Sequence, residues 1–439
     1  MTENAPSVVI VAGEASGDLH GACLAARLKQ MLPNADIRGV GGLRMREAGV
    51  ALLCDSSSWS AIGITEALRL VPRLLLELRK LRSHLKAHPP DALVLIDFGA
   101  FNIRLGRSLP AGDTKVLYYF PPGSWNRGET YERLKGIPNR VVTPFPWSAE
   151  ALNRRGFRAE FFGHPLLDIV KPSLSQDAFC RRFGFDSSRP IVGLLPGSRS
   201  QEIVHNLPAL ALAAARLAES MPELQFAIPL APSISSSAIA EELARTPWIE
   251  VERHHAEEDP ESSMGRASHL SIADRVRSLA RREQFAVPAS PVAIKLLPGM
   301  AYDLLTNARA AAVTSGTATV EAMILGCPMV IIYRGSRLTT WEFRLRCKNV
   351  KFIGMPNIIL DKEICPELIA EDASPSRISD LMLTLIQGSP ERAEMLRGLA
   401  EAKAVLGSLG AVEKTARVVL EMLHQPGSTR NNHDKDTEN

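Results

Sequence analysis

The stretch Val313–Pro328, VTSGTATVEAMILGCP, decides how the chain is read. Ala310 to Thr314 is a run of small apolar residues suited to a buried strand. Ser315-Gly316-Thr317 is a turn that opens a helix over Ala318 to Leu325, which Gly326 and Pro328 end. Met329 to Tyr333 (MVIIY) is the next strand. A β-turn-α-β unit with small residues at the helix mouth offers backbone N–H groups and a positive dipole end to a diphosphate. Glu321, one turn further in, is placed to accept from a ribose hydroxyl. The alternative is an ordinary crossover whose Ser and Thr only cap a helix.

Working outward, the pattern occurs twice. Val8 to Ala12 (VVIVA) is a continuous apolar strand that runs into GEASGD and then a helix from Leu19 to Met31. This is strand, Gly-rich loop, helix, the opening of a doubly wound domain. The loop is neither a G-x-G-x-x-G fingerprint nor a P-loop. Glu14, Ser16 and Asp18 put polar groups at the strand's carboxyl end. Further strands fall at Ile37–Gly42, Asp91–Asp97, Lys115–Phe120, Arg140–Thr143 and Glu160–Phe162. Asp97 closes a central strand, where open α/β sheets place ligands. A carboxylate there can serve as general base, or it can cap the helix Asn102–Ser108. His164, in Gly163-His164-Pro165, reads as a histidine fixed in a turn.

After a polar connector, Ile191–Leu195 restarts the pattern with the loop Pro196-Gly197-Ser198-Arg199 and a helix from Ile203 to Met221. The expected architecture is therefore α/β, with two tandem Rossmann-like domains and the ligand site in the cleft between them. The expected layout is 1–170, a linker over 171–190, and 191–390 with an insertion near 256–291. Closing helices over 391–424 and a disordered tail over 425–439 complete it. Arg199 suits bidentate contact with a phosphate held at the Ser315 turn.

Composition bounds the rest. The chain has 439 residues, 45% hydrophobic and 23% charged, with a net charge of +3. That is a globular composition, and the charge gives no general argument for nucleic acid. Six scattered Cys without a C-x-x-C pair indicate neither a zinc framework nor a disulfide scaffold. Asp434-Lys435-Asp436 lies in a polar tail and carries no weight as a metal motif, so neither metal nor cofactor is expected. Val8–Ala12 is too short for a signal-peptide core, and no stretch approaches the roughly 20 apolar residues of a membrane span. A cytoplasmic setting is expected. ALRLVPRLLLELRKLRSHLK (Ala67–Lys86) is Leu-rich and carries Arg73, Arg79, Lys80 and Arg82. It suits either an anionic lipid surface or a crossover helix with a solvated basic face. Leu338–Cys347, with aromatics and bases, is a second helix of that kind.

These pieces together resemble the lipid-A-disaccharide synthase family. The matching runs are VAGEASGD (Val11–Asp18), IGITEAL (Ile62–Leu68), LIDFGAFN (Leu95–Asn102) and FGHPLLD (Phe162–Asp168). In the second half they are LLPGSRSQEI (Leu194–Ile203), TSGTATVEAMILGCPMVIIYR (Thr314–Arg334) and MPNIIL (Met355–Leu360). The resemblance implies the GT-B glycosyltransferase fold and an inverting, metal-free transfer. UDP-2,3-diacylglucosamine would be joined to lipid X, giving a β-1,6 disaccharide and UDP. It implies Asp97 as the general base toward the acceptor 6-hydroxyl, and Arg199 with Ser198 as diphosphate ligands. Ser315, Gly316 and Thr317 would cradle the diphosphate, Glu321 would hold the ribose and Asn357 would line the site. Glu14, Ser16 and Asn102 fall to the acceptor side or its loop. The setting implied is the cytoplasmic face of the inner membrane, and a homodimer is left open. The chain departs from the family pattern at Ala100, where a second acid is usual, and at FPPGSWNRG (Phe120–Gly128), both on the acceptor side. A UDP-sugar 2-epimerase shares the tandem layout, and a UDP-sugar-binding relative with a changed acceptor or no turnover is the other alternative.

Overall fold

The apolar runs become two parallel sheets. A computed structural model describes residues 5–424 apart from 58, 60–63, 110–113, 233, 254–270, 289 and 336–350, and over 64–69 only the helical backbone. The chain divides into two units, Met1–Ile169 with Val405–Asn439, and Val170–Ala404.

The first unit holds β1 (Ser7–Ala12), β2 (Asp36–Gly41), β3 (Ala51–Asp55), β4 (Ala92–Ile96), β5 (Lys115–Tyr119), β6 (Arg140–Val142) and β7 (Ala159–Glu160). Their order is β3-β2-β1-β4-β5-β6-β7, with every pairing parallel. Side chains alternate between faces, as a strand requires. Val9, Val11, Leu93 and Leu95 pack on one side with Leu81, Leu85, Phe101 and Leu105. Val8, Ile10, Val94 and Ile96 pack on the other with Leu24 and Leu28. That second face is completed by the last helix, Ala411–His424, through Ala416, Val418, Val419 and Met422. Three polar ties fasten this helix. Asp168 accepts from Gly410 N (2.6 Å) and Val412 N (3.0 Å) at its amino end. Arg140, its guanidinium buried, bridges Glu160 (2.6 Å) and Glu421 (3.2 Å). Arg27 meets Glu413 at 2.8 Å.

The second unit holds β8 (Ile191–Leu195), β9 (Gln225–Leu230), β10 (Ile249–Arg253), β11 (Val292–Pro298), β12 (Ala308–Thr314), β13 (Met329–Tyr333) and β14 (Glu367–Ile369). Their order is β10-β11-β9-β8-β12-β13-β14, again parallel throughout. The connector FCRRFGF belongs to this unit: Phe179, Phe183 and Phe185 pack on Ile191, Ala227 and Leu297. Within the region read as an insertion, Ile272–Arg282 is a helix that Ser271 caps by accepting from Asp274 N at 3.1 Å. The rest of that expectation over 254–270, the Leu338–Cys347 helix and the 425–439 tail lie outside the described residues.

Asp168 holds two amide groups that would otherwise lack a partner at a helix amino end. Losing such a cap costs about 1–2 kcal/mol. Asp168→Ala is expected to lower the urea midpoint of unfolding by the equivalent amount, with Asp168→Asn retaining most of the stability. An unchanged midpoint in the Ala variant would contradict this role.

Candidate active site

In a doubly wound sheet the strand order reverses at one point, and the loops there diverge to leave a crevice at the carboxyl ends. In the first sheet that point lies between β1 and β4, in the second between β8 and β12. The loops leaving these strands are Gly13-Glu14, Asp97-Phe98, Pro196–Arg199 and Ser315–Thr317. Glu14, Asp97, Ser198, Arg199 and Ser315 to Thr317 therefore sit at the switch point of their own sheet.

At the end of β4 the backbone turns sharply. Asp97 and Phe98 both adopt left-handed conformations, with φ of 43° and 45°. Such residues cost on the order of 1–3 kcal/mol each unless their surroundings enforce them. Here Asp97 N donates to Tyr119 O (3.1 Å). The Asp97 carbonyl accepts from Asn102 Nδ2 (2.9 Å) and from the Tyr118 hydroxyl (2.9 Å). The Phe98 ring lies where a Cβ on Gly13 would sit, so the first loop needs glycine there. Trp59 and Phe101 flank the same ring at 5.9 and 5.6 Å. The Asp97 side chain itself stays open to solvent. Protein crowding its carboxyl nevertheless strips part of its hydration. With the negative charge of Glu14, that pushes the carboxyl from 3.8 up to about 6, against one backbone N–H from Phe98.

Asn102, expected on the acceptor side or in its loop, lies under the loop. It is fully buried and donates to Ile96 O (3.0 Å) as well as to Asp97 O, so it fixes the turn. Glu14 and Ser16 remain half-exposed at the amino end of the helix Ala15–Met31. Asp18 from the same motif turns inward and caps the helix Leu43–Glu47, accepting from Gly42 N (2.6 Å) and Arg44 N (3.1 Å). His164 is buried and fixed as expected, its Nδ1 accepting from Leu166 N at 3.2 Å. His164 and His20 are both pushed down to about 3 by burial, and both lie against Phe120. In the altered loop after β5, Trp125 is 41% exposed, and Arg127 stacks over Trp147 at 4.2 Å.

In the second unit the helix at the opening stretch is Thr317–Leu325, with Gly316 as its N-cap. Gly316 itself has no side chain with which to cap it. The Ser315 hydroxyl donates to Ile353 O (2.8 Å) and the Thr319 hydroxyl to Gly316 O (2.8 Å). Gly316 has φ of 151°, and nothing lies within 4 Å of where its Cβ would be. Glu321 accepts from the Tyr302 hydroxyl at 3.0 Å.

Two residues differ from expectation here. Asn357 was expected to line the site, but it is 0% exposed. Its amide donates to Cys365 O (2.7 Å) and Glu367 (2.8 Å) and accepts from Ile364 N and Cys365 N (2.8 and 2.9 Å). With Glu367, which accepts from Ile353 N and Gly354 N at 2.8 Å, it braces the loop that receives Ser315. Arg199 already has a partner: its Nη1 donates to Glu202 at 2.9 Å. Glu202 also accepts from Ser198 N (2.9 Å) and Arg199 N (3.3 Å). Its carboxylate fills the space of a Cβ at Gly197, so the loop needs glycine. Glu202 was missed in the sequence, although an acid three residues after a helix N-cap is a legible signal. Tyr118 and Glu367 had none, because their contacts are long-range.

The helix Ile64–Ala87 has two faces. Leu74, Leu78, Leu81 and Leu85 join the core. Val71, Leu75 and Leu76 are 42%, 47% and 58% exposed, among exposed Arg73, Arg79, Lys80 and Arg82. Lys80 pairs with Glu77 at 3.0 Å. No helix among the described residues is long and apolar enough to cross a membrane.

The family model for lipid-A-disaccharide synthetase matches residues 8–274 and 278–407. The chain is 36% identical over 426 residues to a lipid-A-disaccharide synthase of Geobacter sulfurreducens, covering 96% of this chain and 99% of that one. It is 34% identical over 423 residues to that of Myxococcus xanthus, at 96% and 98% coverage. Solved structures of like fold include a UDP-GlcNAc 2-epimerase from Neisseria meningitidis bound to UDP-GlcNAc, with a TM-score of 0.57, 12% identity, and coverage of 94% and 100%. The calicheamicin glycosyltransferase CalG4 gives 0.53, 14% identity, and coverage of 95% and 98%. At such low identity these two speak for the tandem α/β fold alone. The sequence matches decide the family: the chain belongs to the lipid-A-disaccharide synthases.

Proposed function

We propose that this chain is a glycosyltransferase joining UDP-2,3-diacylglucosamine to 2,3-diacylglucosamine 1-phosphate, with inversion, to give the β-1,6 disaccharide and UDP. The observation that carries the reading is Asp97. A carboxylate held at a switch point by an enforced turn, open to solvent and raised to about 6, is a stronger base than an ordinary aspartate and is still ionised at neutral pH. It takes the proton of the acceptor 6-hydroxyl as that oxygen attacks the anomeric carbon. The bond from that carbon to the diphosphate oxygen breaks on the opposite face. The negative charge released falls on the diphosphate, which the helix mouth at Gly316 and the Arg199 guanidinium would stabilise. Glu321 would hold the ribose. Asn357 and Asn102 would act as positioning residues. The apolar and basic outer face of Ile64–Ala87 would rest on the cytoplasmic surface of an anionic membrane, where the lipid substrates lie.

UDP release with both acylated glucosamine substrates should fall about 10²–10⁴-fold in Asp97→Ala. Wild-type turnover in that variant would remove Asp97 from the mechanism. Because the base must be ionised, kcat/KM should decline as pH falls through about 6. The same raised value has a thermodynamic counterpart. Between 3.8 and about 6 the folded protein binds the Asp97 proton more tightly than the unfolded chain, so stability is lost as pH rises through this window. Asp97→Asn is therefore expected to raise Tm more at pH 8 than at pH 4, and an equal shift at both would contradict the raised value. Binding to vesicles containing anionic lipid should weaken with salt and with Arg73, Arg79 and Arg82 all changed to Ser. Binding indifferent to both would leave the helix with a packing role only.

A further inference from the structure

The second unit contains a cavity of about 370 Å³ that the reaction above does not use. Pro190-Ile191 and Asn307-Ala308 line it, so it lies where β8 and β12 begin. The Gly197 and Gly316 turns lie at the other end of the same strands, about 16 Å away for a strand of this length. Three arginines border it: Arg189, Arg309 and Arg392. The volume is within the range of small-molecule sites.

The charges are arranged unusually. Arg189 donates to Glu223 O (2.8 Å) and Pro222 O (3.2 Å). Arg309 Nε donates to Ile386 O (3.0 Å). Arg392 donates to Leu385 O (3.0 Å) and to the backbone carbonyl of Arg309. Every one of these acceptors is a backbone carbonyl, which orients a guanidinium without cancelling its charge. Among the described residues none of the three forms an ion pair with a carboxylate. Arg392 is pushed down from its ordinary value, by burial first and then by the charge of Arg309. The acid beside Arg189 is Asp186, whose Oδ1 is occupied by the Ser188 amide (2.9 Å) and hydroxyl (2.6 Å). Glu391 is exposed, and it is held below its ordinary value by hydrogen bonds at its own helix start. Capping of the helix Pro375–Ile386 accounts for where Arg309 and Arg392 are anchored. It does not account for three arginines bordering one cavity, two of which, Arg309 and Arg392, repel one another until an anion lies between them.

We infer that this cavity is a second ligand site, separate from the donor turn, for a small anion bearing a phosphate or diphosphate group, with Arg189, Arg309 and Arg392 as its ligands and Ser187 at its rim. Guanidinium forks match phosphate oxygens bidentately, and three arginines suit a multiply charged phosphate or diphosphate better than a singly charged carboxylate. The same group can arrive on a soluble metabolite or on a lipid headgroup.

The test is calorimetric titration of the full chain with pyrophosphate at low salt. Gly316→Val serves to block the donor turn, with Arg189→Gln and Arg392→Gln on the cavity. Binding with a dissociation constant below about 1 mM should persist in Gly316→Val. On that background it should weaken about tenfold or more in each arginine variant. Arg189 stands exposed at the rim, so its variant reads the site even if Arg392→Gln melts early. Unchanged affinity in Arg189→Gln and Arg392→Gln, or loss of all binding in Gly316→Val, would overturn the site. Vesicles of phosphatidic acid in phosphatidylcholine, added as competitor to Gly316→Val, separate the sources: competition assigns the site to a headgroup, and none assigns it to a soluble anion.

Discussion

Two consecutive left-handed residues at the end of β4 are the constraint from which the chemistry of the first unit follows. Turned as it is, the chain keeps its backbone polar groups paired with Tyr119, Tyr118 and Asn102 while Asp97 as a residue stays exposed. The conformational cost is met by groups that do nothing else at the site: a fully buried amide, a buried phenol, and a glycine that makes room for Phe98. Rigidity there would serve the general base proposed for Asp97, which must be held in place before the substrate arrives.

The second unit solves a different problem by similar means. Two helices start at its switch point, Ser200–Ser220, whose amino end Glu202 satisfies from within, and Thr317–Leu325, whose N-cap Gly316 has no side chain. Beside the second, the Ser315 hydroxyl donates to Ile353 O. Asn357 and Glu367 then fix the 353–354 backbone, which in turn fixes Ser315. The start of that helix is thus tied to a braced network in which Asn357 is buried and Glu367 half-buried.

Much of this was legible in the sequence, for reasons that can be stated. Buried parallel strands read as unbroken apolar runs, so VVIVA, ALVLI and MVIIY announced themselves. Turns with glycine followed by helix formers marked the switch points. Short edge strands did not stand out: Ala51–Asp55 is half-exposed, and Ile249–Arg253 alternates with charge. The placement of Asn357 could not be read because a polar residue in a loop motif looks the same whether it faces a ligand or a neighbouring carbonyl. Only the fold shows that its amide is spent internally, whereas Asn102 donates to backbone carbonyls while its Oδ1 accepts from no described residue. The basic helix at 64–87 admitted two readings, and its two faces accommodate both, with Leu81 and Leu85 inside and Leu75 and Leu76 outside.

The last helix, Ala411–His424, completes the sheet face begun by Val8 and Ile10, although the whole of the other unit lies between them in the chain. During synthesis the opening half must therefore wait on the ribosome with an apolar flank uncovered, on the order of tens of seconds at ordinary elongation rates. A nascent chain in that state is a natural client for chaperones. A gene fragment cut at the first crossing would inherit the same bare flank permanently, whereas one carrying the final segment on a short linker would not.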